Sequence, residues 1–147
     1  MSTPIDLNYE GISREQFASF PEFYDPKQAL SINVRLNFIY QVDRRLVACQ
    51  ATATFSSEDH PYIRCALTCA FTVSPDSWNE RMNTEQDVVE LEASIYEHLG
   101  AFTVGSLRGY LHAKQMESPI RVVLPPVNVT EIVQQIENKT IPLSAKG

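Results

Sequence analysis

The chain has 147 residues and a formal net charge of -6, a length that suits one domain, residues 1–147, around one continuous core. With 44% hydrophobic and 20% charged residues it has a globular composition, and an acidic balance without a basic stripe argues against nucleic acid as a partner. No apolar run approaches the roughly 20 residues of a membrane span, and "MSTPIDLNYE" lacks a cationic region followed by an apolar one, so the simplest reading is a cytoplasmic protein with no membrane insertion.

In chain order, Ile5, Leu7 and Tyr9 alternate within "PIDLNYE", which predicts a short first strand. The polar, proline-bearing stretch "EQFASFPEFYDP" then gathers Phe17, Phe20, Phe23 and Tyr24. Such a cluster either caps the core or lines an apolar groove beside a sheet, because loops rich in aromatics serve recognition. "ALSINVRLNFIY" alternates cleanly, with Leu30, Ile32, Val34, Leu36, Phe38 and Tyr40 on one face and Ser31, Asn33, Arg35 and Asn37 on the other. After a turn at "DRR", "LVACQATATF" resumes the pattern with Val47, Cys49, Ala51, Ala53 and Phe55 inward. "SSEDHP" reads as a loop, and "YIRCALTCAFTV" gives a further strand through Ile63, Cys65, Leu67, Cys69, Phe71 and Val73. Consecutive strands with short connections predict an antiparallel meander that is apolar on one face.

The period then changes. Val88, Leu91, Ile95 and Leu99 recur at helical spacing, with Thr84 and Asp87 in the arrangement of a capped start. This predicts an acidic helix through Glu85, Asp87, Glu90, Glu92 and Glu97, interrupted or ended by Gly100. "GAFTVGSLRGYLHA" follows as a second helix with a small residue at every fourth position: Ala101, Gly105, Gly109 and Ala113. Two interior glycines cost roughly 1 kcal/mol each relative to alanine, so the stripe must serve a close contact. Either the helix lies close on its own sheet, or it packs against its copy in another subunit. In "LPPVNVTEI", Pro125 and Pro126 fix an extended approach to Asn128, a cap residue with Glu131 three positions on. Val129, Ile132, Val133 and Ile136 form the apolar face of this last helix. Strands first and helices second predict an α+β fold, a sheet covered on one face by two or three helices.

Catalytic signatures are missing. The chain contains no GxSxG, HExxH, P-loop or dinucleotide-binding glycine pattern, and no nucleophile is paired with a base. Cys49, Cys65 and Cys69 form no CxxC. Within a strand, Cys65 and Cys69 stand about 13 Å apart, too far for one tetrahedral metal, so buried inert thiols are expected. His60, His98 and His112 share no ligand spacing, and the sequons at Asn128 and Asn138 carry no weight without secretion. No catalytic residue, metal or cofactor is expected.

Three separated segments resemble the SecB family of protein-export chaperones. "LGAFTVGSLRGYLHA" is similar to that family's Leu-Gly-Ala-aromatic start of a long helix with a central tyrosine, here Tyr110. "LPPVNVTEI" is close to its Leu-x-Pro-Val-Asn corner, and "FYDPKQALSINVRL" resembles its aromatic-x-Pro approach to the second strand. The resemblance covers most of residues 23 to 137. It implies a four-stranded antiparallel sheet with helices on one face, and assembly as a homo-oligomer, dimer or tetramer, through the stripe at Ala101, Gly105, Gly109 and Ala113. It also implies a holding chaperone that works without ATP, for export or for protection of a particular client. Its clients are unfolded polypeptides, bound by candidates Phe17, Phe20, Phe23, Tyr24, Leu124, Val127 and Ile132. The family's partner is the SecA motor. Arg64, however, stands where the export members carry an acidic residue facing SecA, and that reversal opposes docking of the motor's basic segment. The alternatives are an interaction or structural subunit of the same fold and, third, a small-molecule enzyme or binding protein.

Overall fold

In a computed structural model, residues 4–136 and 140–143 are described. The main sheet contains β1 (Leu7–Ser19), β2 (Leu30–Gln41), β3 (Leu46–Ser57) and β4 (His60–Val73), in the order β1-β4-β3-β2 and antiparallel throughout. Strands β2 and β3 pair without a register shift, from Leu30 opposite Ser57 to Gln41 opposite Leu46. Each inward residue of one strand therefore meets an inward residue of the other, as Ile32 meets Phe55 and Phe38 meets Cys49. The turn between them closes with Arg45 in the left-handed region, at φ 51. Its side chain offsets that strain in part by donating from Nε to the Val73 carbonyl at 3.1 Å.

Past β4 come α1 (Pro75–Glu80), β5 (Met82–Asn83), β6 (Val88–Glu90), α2 (Ala93–Lys114), α3 (Val129–Gln134) and β7 (Thr140–Pro142). Helix α2 lies across the inner face of the main sheet and buries Ile95, Tyr96, Leu99, Leu107 and Leu111 against Val47, Cys49, Ala51, Cys65 and Leu67. Small side chains on β3 let the helix sit close, and this layer supplies most of the hydrophobic stabilisation. The expected α+β class, with a four-stranded antiparallel sheet and helices on one face, is the fold observed.

Four local expectations need correction. The first strand is long: β1 has 13 residues and takes in Phe17, which is not in a loop. Two bulges, between Tyr9 and Gly11 and between Ile12 and Arg14, break its alternation, so the inward side falls at Leu7, Tyr9, Ile12, Glu15 and Phe17. No acidic helix starts at Thr84. Instead β5 and β6 form a hairpin, joined by β7 into a second, three-stranded sheet. Asn83 Oδ1 accepts from the Gln86 N–H at 3.1 Å, and Asp87 adopts φ 56, which is turn geometry. Gly100 neither interrupts nor ends a helix, since α2 runs through it for 22 residues. Finally, α3 is capped as expected by Asn128, whose Oδ1 accepts from the Glu131 N–H at 3.0 Å, but it ends at Gln134, short of Ile136. Asn138 lies outside the described residues.

The second sheet is tied to the helix layer by Arg81. Its side chain donates from Nε to Glu92 Oε1 at 2.8 Å, from Nη2 to Glu92 Oε2 at 3.1 Å and from Nη1 to the Ser77 carbonyl at 3.1 Å. That two-pronged pairing satisfies a guanidinium that is only 5% exposed.

Candidate functional site

Phe17 points inward opposite Cys65 and packs, half-buried, on the core. Strand β1 ends at Ser19, whose Oγ lies 2.8 Å from Ser118 Oγ just past α2. The Phe20 N–H extends the β1–β4 ladder by donating to the Tyr62 carbonyl at 2.8 Å. Pro21 then opens a single 3-10 turn, Pro21–Phe23, closed by N–H donation from Phe23 to the Phe20 carbonyl and from Tyr24 to the Pro21 carbonyl.

That turn brings the rings together. Phe20 and Phe23 have centroids 6.3 Å apart, and Phe23 stacks on His60 at 5.6 Å. Tyr24 meets Tyr62 edge-on at 4.9 Å, and Tyr62 in turn meets Phe55 at 6.5 Å. Burial pushes the Tyr62 hydroxyl above its ordinary pKa, so it stays neutral. The chain then crosses the end of the sheet: the Asp25 N–H donates to Ser57 Oγ at 3.0 Å and the Glu58 N–H to the Ala29 carbonyl at 2.8 Å. Strand β2 starts there with Leu30 and Ile32, the latter opposite Phe55.

The result is a group of open apolar side chains at one end of the sheet, with Tyr24 and Ile32 against Tyr62 and Phe55 and with Phe20 and Phe23 beside them in the adjoining turn. Phe20 is 40% exposed, Phe23 45%, Tyr24 37%, Leu30 51% and Ile32 44%. Leu30 and Ile32 share the inward face of β2 with Val34, Leu36, Phe38 and Tyr40. They are open because the helix layer packs on β2 only from Val34 onward. Nothing in the local pattern marks where that cover stops.

Leu124, Val127 and Ile132 belong to the segment that returns along α2 and into α3. Ile120, Val122 and Leu124 alternate inward there, and Leu124 is 3% exposed and part of the core. Arg108 holds this segment to α2 by donating to the carbonyls of Leu124 at 3.3 Å and Pro125 at 3.0 Å. Val127 is half-buried against the core, and Ile132 is half-buried on α3. The aromatic cluster and this segment are thus separate parts of the surface, each held by its own backbone contacts.

The small stripe faces away from the sheet. Ala101, Gly105, Gly109 and Ala113 are all exposed, and a Cβ added at Gly105 or Gly109 would meet nothing within 4 Å. Close packing of the stripe on its own sheet is therefore ruled out. Beside it Phe102, itself exposed, contacts Tyr9 at 4.8 Å and Phe71 at 5.4 Å. Tyr9 and Ile12 of β1 are about half exposed on the same side of the sheet.

Reactive groups are muted. Burial pushes the Cys49 and Cys65 thiols up to about 12, which removes the thiolate needed for attack or metal binding. Among the described residues no group of three His, Cys, Asp or Glu side chains is placed to hold a metal, and no helix is long and apolar enough to cross a membrane. Arg64 is exposed on the outer face of the sheet, between Ala18 and Thr54.

No family model matches the chain, and no curated protein matches it in sequence. Among solved structures, a protein of unknown function from Streptococcus agalactiae aligns with 84% of this chain and 99% of its own, at a TM-score of 0.40 and 10% identity. The chain also resembles a SecB-like chaperone of Mycobacterium tuberculosis, solved in complex with a peptide from the HigA1 antitoxin, over 85% of this chain and 90% of that one, at a TM-score of 0.47 and 9% identity.

Proposed function

We propose that this protein is an ATP-independent holding chaperone that binds unfolded polypeptide on the aromatic surface at the end of the main sheet. The observation that carries this reading is the exposure of Phe20, Phe23, Tyr24, Leu30 and Ile32, five large apolar side chains left open in adjoining segments at one end of the sheet. An unfolded segment exposes apolar side chains of many kinds. Burying them on such a surface contributes ~25 cal/mol per Å² with little demand for exact sequence. Phe17 supports the surface from β1, while Leu124, Val127 and Ile132 lie apart from it and are left out of the client surface.

The exposed stripe on α2 supports a homo-oligomer as the working form. A small-residue helix face bordered by Phe102, Tyr9 and Ile12 suits a two-fold contact in which the same face meets itself. Protection of a particular client is favoured over delivery to SecA, because Arg64 is exposed and, by the resemblance to the SecB family, stands where export members carry an acidic residue toward SecA. The reading places the protein in the cytoplasm, where precursors and partly folded clients are exposed.

Light scattering of an aggregating client tests it. The wild-type chain, at stoichiometric ratio, is expected to suppress aggregation without ATP, and Phe20→Ser/Phe23→Ser to lose most of that suppression while keeping its far-UV spectrum. Equal suppression by the variant would remove the aromatic surface from the account.

A further inference from the structure

The opposite, outer face of the main sheet carries features that client holding does not use. A cavity of about 300 Å³ lies over Arg14, Gln16, Gln50, Ala66 and Thr68. A second, of about 430 Å³, lies over Arg14, Ile39, Arg44, Leu46, Gln50 and Thr68. They share Arg14, Gln50 and Thr68, and so form one trough that crosses the sheet from β1 to β2. Crossing four strands takes about 14 Å, the length of roughly four extended residues.

Three properties of the trough point to its occupant. The first is charge. In a chain of net charge -6, Arg14, Arg35, Arg44 and Arg64 all lie on or beside this face, and none forms an ion pair among the described residues. Of the acidic residues nearby, Glu10 has its Oε1 engaged by Thr72 Oγ1 at 2.7 Å, Glu15 stands opposite Leu67 on the inward side of β1, and Asp43 adjoins Arg44 in the turn. The second is an unanswered polar atom in the floor. Thr68 is 3% exposed, and its Oγ1 has no hydrogen-bond partner among the described residues. Native structures rarely leave such a hydroxyl unpaired. The third is an apolar strip, with Ile39 43% exposed beside Leu46, Ala48 and Ala70.

We propose that this trough docks a short acidic segment of a partner protein, with its carboxylates on Arg14 and Arg44, a polar group on Thr68 Oγ1 and an apolar side chain on Ile39. The surface is the reverse in charge of what a basic partner segment needs, and it stands independently of the aromatic surface on the other side of the sheet.

Fluorescence anisotropy with a labelled eight-residue peptide of alternating Glu and Leu tests it, beside counterparts carrying Gln or Lys in place of Glu. The Glu peptide is expected to bind in a salt-sensitive way and to lose at least tenfold in affinity to Arg14→Glu/Arg44→Glu. Arg14→Lys/Arg44→Lys retains most of the binding, and Thr68→Val weakens it. Phe20→Ser/Phe23→Ser is expected to bind the Glu peptide normally, which separates this surface from the client surface. The proposal is overturned if the Gln or Lys peptide binds as well, if no peptide binds, or if the aromatic variant loses binding. It is also overturned if the arginine reversal abolishes self-association instead, since the occupant would then be a second copy.

Discussion

Gly100 of α2 lies directly against Val129 of α3: a Cβ at position 100 would stand 2.8 Å from Val129 Cγ1 and 2.9 Å from Leu36 Cδ1. The glycine is the point where long helix, last helix and β2 converge. Gly100→Ala gains up to about 1 kcal/mol of helix propensity but forces two packed side chains aside, an overpacking worth typically 1–3 kcal/mol. The expected net loss is about 0–2 kcal/mol, read as a lower urea midpoint at unchanged slope.

The two exposed glycines of the stripe behave in the opposite way. Gly105→Ala and Gly109→Ala meet no neighbour within the chain, so each stabilises the isolated subunit by up to about 1 kcal/mol. If the stripe is a subunit contact, the same changes weaken self-association. Sedimentation velocity alongside urea titration separates the two effects. A double variant that is more stable and equally oligomeric would contradict the interface.

Alkaline pH loosens the fold through its thiols. Burial raises Cys49 and Cys65 from 9.0 to about 12, and burial raises the Tyr40 and Tyr96 hydroxyls as well. Above pH 9 the unfolded chain releases thiol protons that the folded chain keeps. Their contribution is therefore full below pH 9 and is lost as pH rises toward 12. The Tm is expected to be level up to about pH 9 as far as these groups decide it, and then to fall. Cys49→Ala/Cys65→Ala should fall less steeply over that window, and an identical slope would exclude the thiols as the cause.

Glu92 neutralises a guanidinium that is 5% exposed, while Glu92 itself is 40% exposed. Glu92→Gln leaves Arg81 with weaker acceptors and costs about 1–3 kcal/mol. The Glu90 N–H donates to the Arg81 carbonyl at 2.9 Å, so the loss is expected to appear first as faster hydrogen exchange at Glu90. Unchanged exchange there would show that the ion pair does not hold the small sheet.

Strands β2, β3 and β4 were legible because their alternation runs unbroken and their partners are neighbours in the chain. Strand β1 was not: two bulges place Leu7, Tyr9, Ile12 and Phe17 inward at unequal spacings, which no fixed period detects. The early helix start at Thr84, nine residues ahead of the real start of α2 at Ala93, has a similar cause. Val88 and Leu91 match a helical period by coincidence. Val89 is fixed instead by Ile141, some fifty residues later, and only long-range pairing reveals it. Of the candidate site, Phe20, Phe23 and Tyr24 could be singled out as aromatics in a polar turn. Leu30 and Ile32 could not, since exposure depends on where the helix layer ends and not on the strand that carries them.

Native mass, taken for the chain alone and after mixing with a permanently unfolded polypeptide, tests the central claim most directly. The account predicts a dimer or tetramer that captures the polypeptide in the wild type, and an equally assembled Phe20→Ser/Phe23→Ser protein that captures far less. A strict monomer that ignores the polypeptide would contradict both the subunit contact and the holding function.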